Sequence, residues 1–339
     1  MTISILLFYL RDGHYNLLEL FQTAFPIKHY LPTETTNQQF NKNISRSGLM
    51  RNLDEQTITQ AVLARNASTE DHRLHQVMTS LVQHMHSFAR EVNLTEGEWL
   101  KGIEFLTAIG KTCSPTRQEF ILLSDTLGLS TLVVAQNHKK PEGCTEATVF
   151  GPFHVTGAPR YELGADISNG MPGTSWWVSG VIRNLDNEPI PYAELEVWQA
   201  DDLGFYDVQN VEFTEYQGRA VLRADAQGAY RFRTIVPNAY PIPHDGPVGV
   251  MLKALNRHPW RPAHLHFMIS AKGYERLVTH VFRESGKYLD SDAVFGVRSS
   301  LIAEWQYHGT GVTPDGRNSD TPYYTLEFDF VLNATGLEQ

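Results

Sequence analysis

The chain has 339 residues, 42% of them apolar, enough to bury the core of one large domain or of two ordinary ones. Lys and Arg number 28 against 38 Asp and Glu, and the resulting formal charge of −10 disfavours nucleic acid and anionic membrane surfaces and points to a small organic partner. The two cysteines, Cys113 and Cys144, form no C-x-x-C pair, which argues against a disulfide framework or a thiolate metal site and fits a reducing cytoplasm; no apolar stretch approaches the roughly 20 residues of a transmembrane helix.

The N-terminal stretch "MTISILLFYLRDGHYNLLELF" has a short apolar run but neither a basic lead nor a small-residue cleavage site, and residues 32–49 are polar without a period. Residues 1–49 therefore read as an extension with no part in the chemistry. From Asp54 the period becomes helical. Ser68 with Asp71 resembles a capping box, and Leu74, Val77, Met78, Leu81, Val82, Met85, Phe88 and Val92 then recur at spacings of three and four. Thr95 with Glu98 and Thr116 with Glu119 mark two further helix starts. Residues 50–142 are thus expected to form a helical domain, whose apolar stripe suits packing, including packing on a second copy of the chain.

Near Gly143 the texture changes to short alternating runs separated by Gly, Pro and Asn. Two strand-like runs flank the turn Asp186-Asn187-Glu188-Pro189, and "GAYRFRTIV", "RLVTHVF" and "YYTLEFDFVL" supply more. Strands without helical interludes predict an antiparallel β-sandwich over residues 143–339, so the whole chain is expected to be α+β.

The segment "RPAHLHFMIS" carries two histidines one residue apart in an apolar run. On a strand His264 and His266 share a face with room for one ion between them, whereas the His84/His86 pair sits in a helical pattern, where two residues turn about 200° and the rings diverge. His84 and His86, with His72 and His75, read as solvated. The strand pair is either two hydrogen-bonded core imidazoles or half of a metal site. No H-E-x-x-H or comparable histidine–carboxylate arrangement accompanies it. Two tyrosines do stand at the ends of strand-like runs, Tyr206 in "DDLGFYDVQ" and Tyr240 in "IVPNAYPIP". A phenol with a free pKa near 10 ligates at neutral pH only to a strongly acidic cation such as trivalent iron.

Taken together, "EATVFGPFH", "GFYDVQ", "IVPNAYPIP", "RPAHLHF" and "YLDSDAVFG" resemble the intradiol ring-cleavage dioxygenases over about residues 50–337, and within that family the members acting on hydroxyquinol (1,2,4-trihydroxybenzene). The resemblance implies a non-haem Fe(III) held by Tyr206, Tyr240, His264 and His266. Tyr240 would be released when the diol chelates, its phenolate taking up a substrate proton, and Arg261 would face the reacting ring carbon. Dioxygen would open the ring between the two hydroxyl carbons to give 3-hydroxy-cis,cis-muconate/maleylacetate. A homodimer built through the helical domain, with lipid bound at its interface, is implied as well. The substrate pocket carried over from the family comprises Leu122 and Asp125, the run Val149, Phe150, Gly151, Pro152 and Phe153, then Ile242, Pro243 and Val294. His280, in "LVTHVF", replaces the Gln of catechol-cleaving members and joins that pocket. Asp125 would reward a third hydroxyl able to donate to it, or else be a capping residue of "LSDTLG". A catechol or chlorocatechol 1,2-dioxygenase is the alternative within the family, and a non-catalytic transthyretin-like sandwich the alternative outside it.

Overall fold

A computed structural model describes residues 51–114, 117–209 and 215–336, which fall into two compact units dividing between Lys111 and Thr112. The expected N-terminal extension, residues 1–49, lies outside the described residues.

The first unit holds α1 (Ile58–Asn66), α2 (His72–Glu91) and α3, which begins at Glu96 and ends at Thr112. Asp71, rather than Ser68, starts α2: its backbone is extended and its carboxylate accepts from Arg73 N at 2.8 Å and Leu74 N at 2.9 Å. Thr95 and Glu98 form the expected reciprocal cap, Thr95 N donating to Glu98 Oε2 at 3.0 Å and Glu98 N to Thr95 Oγ1 at 3.3 Å. His84 is exposed, with Nδ1 2.8 Å from Ser80 O of its own helix. His86 is half-buried and pairs with Thr59 of α1 at 2.9 Å, so only one of the two is solvated.

The second unit includes two helices that the sequence pattern grouped with the helical domain, α4 (Glu119–Thr126) and α5 (Leu129–Asn137). Thr116, and with it the expected cap, lies outside the described residues, whereas the other half of that motif, Glu119, is described. It is buried, accepting from Arg117 Nε at 3.0 Å and from Val248 N at 3.2 Å. Helical periodicity identifies a buried face but not what covers it, and here Leu122 and Val134 pack on the strand domain.

Two five-stranded sheets form that domain. The first places β1 (Ser175–Arg183) centrally, antiparallel to β4 (Ala229–Ile235) and flanked by β13 (Tyr323–Glu327), β14 (Phe330–Val331) and, beyond β13, β10 (Gln306–His308). The second runs in the order β3 (Arg219–Arg223), β2 (Glu194–Gln199), β7 (His264–Ser270), β8 (Leu277–Arg283), β9 (Ile302–Ala303). Two short ribbons complete it, β5 (Tyr240–Pro241) with β6 (Trp260–Arg261) and β11 (Gly311–Val312) with β12 (Asn318–Ser319), together with α6 (Pro247–Ala254). Pairing is mostly antiparallel as expected, but β1 meets β13 and β14 in parallel, as β8 meets β9. These partners are joined by long connections rather than hairpins, so nothing in the local sequence sets their direction.

Alternation along β1 buries Trp176, Val178 and Ile182 against Leu195 and Val197 of β2 and Leu265, Phe267 and Ile269 of β7. Each large side chain so buried contributes roughly 1.5–3 kcal/mol. Tyr230, fully buried on β4, donates its hydroxyl to Phe328 O at 2.7 Å, so its polar end costs little.

Candidate metal centre

The strand β7 is buried on both faces, and the period of two sorts its residues. Leu265, Phe267 and Ile269 enter the core between the sheets; His264, His266 and Met268 face the other way, under the loops and α4–α6. The ladder places Trp198 of β2 and His280 of β8 directly across from His266. Trp198 stacks on the His266 ring with centroids 4.6 Å apart.

Tyr206 follows β2 at the start of a short 3-10 turn, its backbone N donating to Gln209 Oε1 at 2.8 Å. Phe153 stacks on its ring at 4.3 Å, and the adjacent Asp207 is locked by a buried bidentate pair with Arg219, whose Nη1 also donates to Phe153 O at 3.0 Å. Gly204, at φ +89°, lets the preceding loop close on Tyr240: a Cβ there would stand 2.7 Å from Tyr240 Cβ. Tyr240 itself pairs across the β5–β6 ribbon with Arg261, three residues ahead of His264.

These elements bring four donor atoms together. Tyr206 Oη lies 2.9 Å from His266 Nε2 and 3.5 Å from Tyr240 Oη, and His264 Nε2 lies 3.1 Å from His266 Nε2. All four side chains are at least 95% buried. His264 Nδ1 is 2.8 Å from Pro262 O, and since a carbonyl only accepts, Nδ1 carries the hydrogen and Nε2 presents a bare lone pair. Burial, with the Arg261 charge, pushes His264 down to about 3, and burial pushes His266 well below its ordinary value, so both rings are neutral. His266 Nδ1 has no partner among the described residues. Two neutral imidazoles and two phenols meeting at such distances are able to hold one cation, since bonds of about 2 Å leave neighbouring ligand atoms roughly 3 Å apart. Burial, followed by the nearby Tyr240, raises the Tyr206 phenol well above its ordinary value, so the cation must be acidic enough to displace that proton. His280 brings a third buried imidazole, with ring nitrogens of His264, His266 and His280 all within 4.8 Å of one another.

Beside the donors Arg261 is 3% exposed and pairs with Asp292, Nε to Oδ1 at 3.0 Å and Nη2 to Oδ2 at 3.3 Å. Burial works against the Arg261 charge, but Asp292 outweighs it and raises the guanidinium above its ordinary value. Burial likewise opposes the Asp292 carboxylate, yet Arg261 and the amide of Gly296, donating at 2.9 Å, hold it below the usual range. The guanidinium is a fixed positive charge, with Nη1 3.4 Å from His264 Nε2.

Of the expected pocket residues, Val149, Ile242 and Val294 share one buried cluster with Tyr206 and Tyr240, and Leu122 and Phe153 pack against it. Gly151, at φ +78°, approaches so closely that a Cβ would lie 3.0 Å from His266 Cε1. Pro243 is half-buried, whereas Phe150 and Pro152 are exposed, Phe150 resting against His154 and against Trp198 of that cluster. Asp125 is no surface cap: it is 9% exposed and within electrostatic reach of Arg261 and Asp292. Burial raises its carboxyl to about 6, against the lowering effects of Ser130 and Arg261. His280 is wholly buried, with Nδ1 3.1 Å from Thr148 Oγ1.

Two family models match the chain: "Dioxygenase" over residues 149–334 and "Catechol dioxygenase N terminus" over residues 71–145. The chain therefore belongs to the intradiol ring-cleavage dioxygenases and is an enzyme, which removes the binding-module alternative. Among its relatives, the 6-chlorohydroxyquinol 1,2-dioxygenase of Cupriavidus pinatubonensis is 58% identical over 286 residues, covering 84% of this chain and 100% of that protein. The hydroxyquinol 1,2-dioxygenase of Nocardioides simplex is 50% identical over 279 residues, covering 82% and 95%. The solved hydroxyquinol 1,2-dioxygenase of Pseudomonas putida DLL-E4 superposes with a TM-score of 0.79 at 44% identity, covering 83% of this chain and 99% of that one.

Sequence reasoning missed three supports of the site. Asp292 stands inside the quoted "YLDSDAVFG", but its pairing with Arg261 depends on how that loop folds back. The Asp207–Arg219 lock and the Thr148–His280 contact join segments whose register is not readable from pattern, and no sequence signal would have found them.

Proposed function

We propose that this enzyme opens the ring of hydroxyquinol between its vicinal hydroxyl carbons with dioxygen, using a non-haem Fe(III) held by Tyr206, Tyr240, His264 and His266. The convergence of two phenols and two neutral imidazoles in one buried cluster beside Arg261 carries the reading. The names of its relatives support the substrate. Bound there, ferric iron supplies electron withdrawal from the chelated diol, which opens a ring carbon to dioxygen. Tyr240 Oη accepts a substrate hydroxyl proton, and Tyr206 stays where it is, a role supported by its packing on Phe153 and by the Asp207–Arg219 pair beside it. Arg261, oriented by Asp292, stabilises negative charge developing on the ring. Val149, Ile242 and Val294, with Leu122 and Phe153, exclude water, and Asp125 accepts from the third hydroxyl. The product is 3-hydroxy-cis,cis-muconate, the enol form of maleylacetate.

The helical region serves as a homodimer interface that takes up lipid, consistent with the exposed Phe88, Trp99, Leu100 and Ile103. Residues 1–49 are dispensable, and the enzyme works in the cytoplasm, in keeping with a sequence that holds two cysteines and no C-x-x-C pair. Among the described residues no single helix is long and apolar enough to cross a membrane.

Oxygen uptake by the iron-loaded protein, measured side by side with hydroxyquinol, catechol and 4-chlorocatechol, tests the reading. Fastest uptake with hydroxyquinol, from a red-brown protein, is the expected result; preference for either catechol overturns the substrate, and a colourless active protein overturns the metal.

A further inference from the structure

His280 sits directly opposite His266 on the face that carries the metal donors. Its ring centroid is 4.2 Å from that of His266 and 4.8 Å from that of His264. Nδ1 is engaged by Thr148 Oγ1 at 3.1 Å, but Nε2 is buried and has no partner among the described residues. Buried polar atoms are nearly always paired, so an unpaired imidazole nitrogen beside a metal donor set marks the place of a group that is not part of the chain.

The hydrogen on that ring can be located. A histidine ring carries a hydrogen on at least one of its two nitrogens, so when one of them accepts, the other is a donor. Thr148 is 5% exposed, and its hydroxyl meets no other side chain among the described residues. A buried hydroxyl hydrogen needs an acceptor, and His280 Nδ1 is the acceptor in reach. Once Nδ1 accepts, the ring hydrogen is on Nε2.

We propose that Thr148 and His280 form a positioning pair that presents an Nε2–H donor to a small anionic or oxygen ligand held at the metal centre, on the same side as the Arg261 guanidinium. The pair rests on the metal reading given above. It gives His280 a role distinct from lining the substrate pocket and from ligating the metal: its donor orients what the metal binds, and Thr148 acts only through it.

Azide is the probe. The iron-loaded protein and its Thr148→Val, His280→Gln and His280→Leu variants are assayed for iron content, thermal melting and azide affinity, the last from the shift in visible absorption. All four should retain iron and colour. His280→Leu should weaken azide binding roughly 10-fold or more, the scale of one hydrogen bond to a charged group, and Thr148→Val severalfold. His280→Gln, whose amide N–H can replace the donor, should stay within about threefold of wild type. Wild-type azide affinity in an iron-replete His280→Leu protein would overturn the proposal, as would loss of iron from His280→Leu while Thr148→Val binds azide normally, which makes His280 a ligand. Should His280→Leu fail to fold, the near-isosteric Thr148→Val decides alone, unchanged affinity sinking the pair. A wild-type protein that takes up no iron instead sinks the ferric reading itself.

Discussion

His84 and His86 on α2, and His264 and His266 on β7, have the same spacing and opposite fates. On the helix two residues turn about 200°, so each ring finds its own partner, Ser80 O for one and Thr59 for the other. On the strand the rings stand side by side with Nε2 atoms 3.1 Å apart, both neutral and both cut off from water. Spacing has chemical meaning only through the period of the element that carries it. Burial then adds the demand: an exposed imidazole is satisfied by solvent, whereas two buried lone pairs turned toward each other call for a cation.

Removing one ring from each pair should have opposite outcomes on the two elements. His264→Ala or His266→Ala should abolish iron retention and activity together, while His84→Ala and His86→Ala should leave both intact and cost no more than about 1 kcal/mol of stability. Metal analysis and oxygen uptake on the four proteins decide it, and an active, iron-free His266→Ala enzyme would end the metal assignment. Arg261→Leu separates charge from ligation at the same site. It should keep its metal and lose about 2.7–4 kcal/mol of barrier lowering, a drop of roughly 10²–10³ in kcat. It also strands the buried Asp292 carboxylate, so its melting temperature should fall.

At Asp125 burial is only partly offset, by Ser130 and Arg261. Its folded value of about 6 exceeds the ordinary 3.8, so the folded chain keeps a proton that the unfolded chain has lost. Stability should therefore fall as pH rises from about 4 to about 6, the penalty of roughly 3 kcal/mol being complete above 6. Asp125→Asn should remove that decline, as urea titrations at pH 4 and pH 7.5 would show. In wild type the kcat/KM preference for hydroxyquinol over catechol should grow as pH rises through about 6, when the carboxylate forms, and it should be flat and about tenfold smaller in Asp125→Asn. A preference independent of pH in both proteins would remove Asp125 from substrate choice. The smallest effect is expected from starting the chain at Met50: unchanged melting temperature and oxygen uptake, with loss of soluble protein as the contrary result.

Much of this was legible in the sequence because the signals were local. The cap at Thr95, the alternation of β1 and the shared face of His264 and His266 each follow from a few neighbouring residues. Tyr206 and Tyr240 are different: their place at the ends of strand-like runs singled them out, but no spacing ties them to the histidines, and only resemblance to a family made them ligands. The partnerships that orient the chemistry, Asp292 with Arg261 and Thr148 with His280, were unreadable because they depend on loop closure between distant segments. That Leu122 of α4 and Val134 of α5 pack on the strand domain was unreadable for a related reason, since an apolar stripe does not name what it packs against.

The parallel docking of β13 and β14 beside β1 has a consequence for the order of synthesis. The central strand of the first sheet, Ser175–Arg183, acquires these neighbours only once Tyr323–Val331 has been made. All four side chains of the metal centre have left the ribosome by then, yet the sheet that backs β7 is still incomplete. Pairings so distant along the chain are slow to form, and the waiting intermediate exposes the apolar faces of β1 and β7. Stable iron loading should accordingly be a late event, following synthesis and docking of Tyr323–Val331, and a chain ending before Tyr323 should aggregate rather than accumulate as a partly active enzyme.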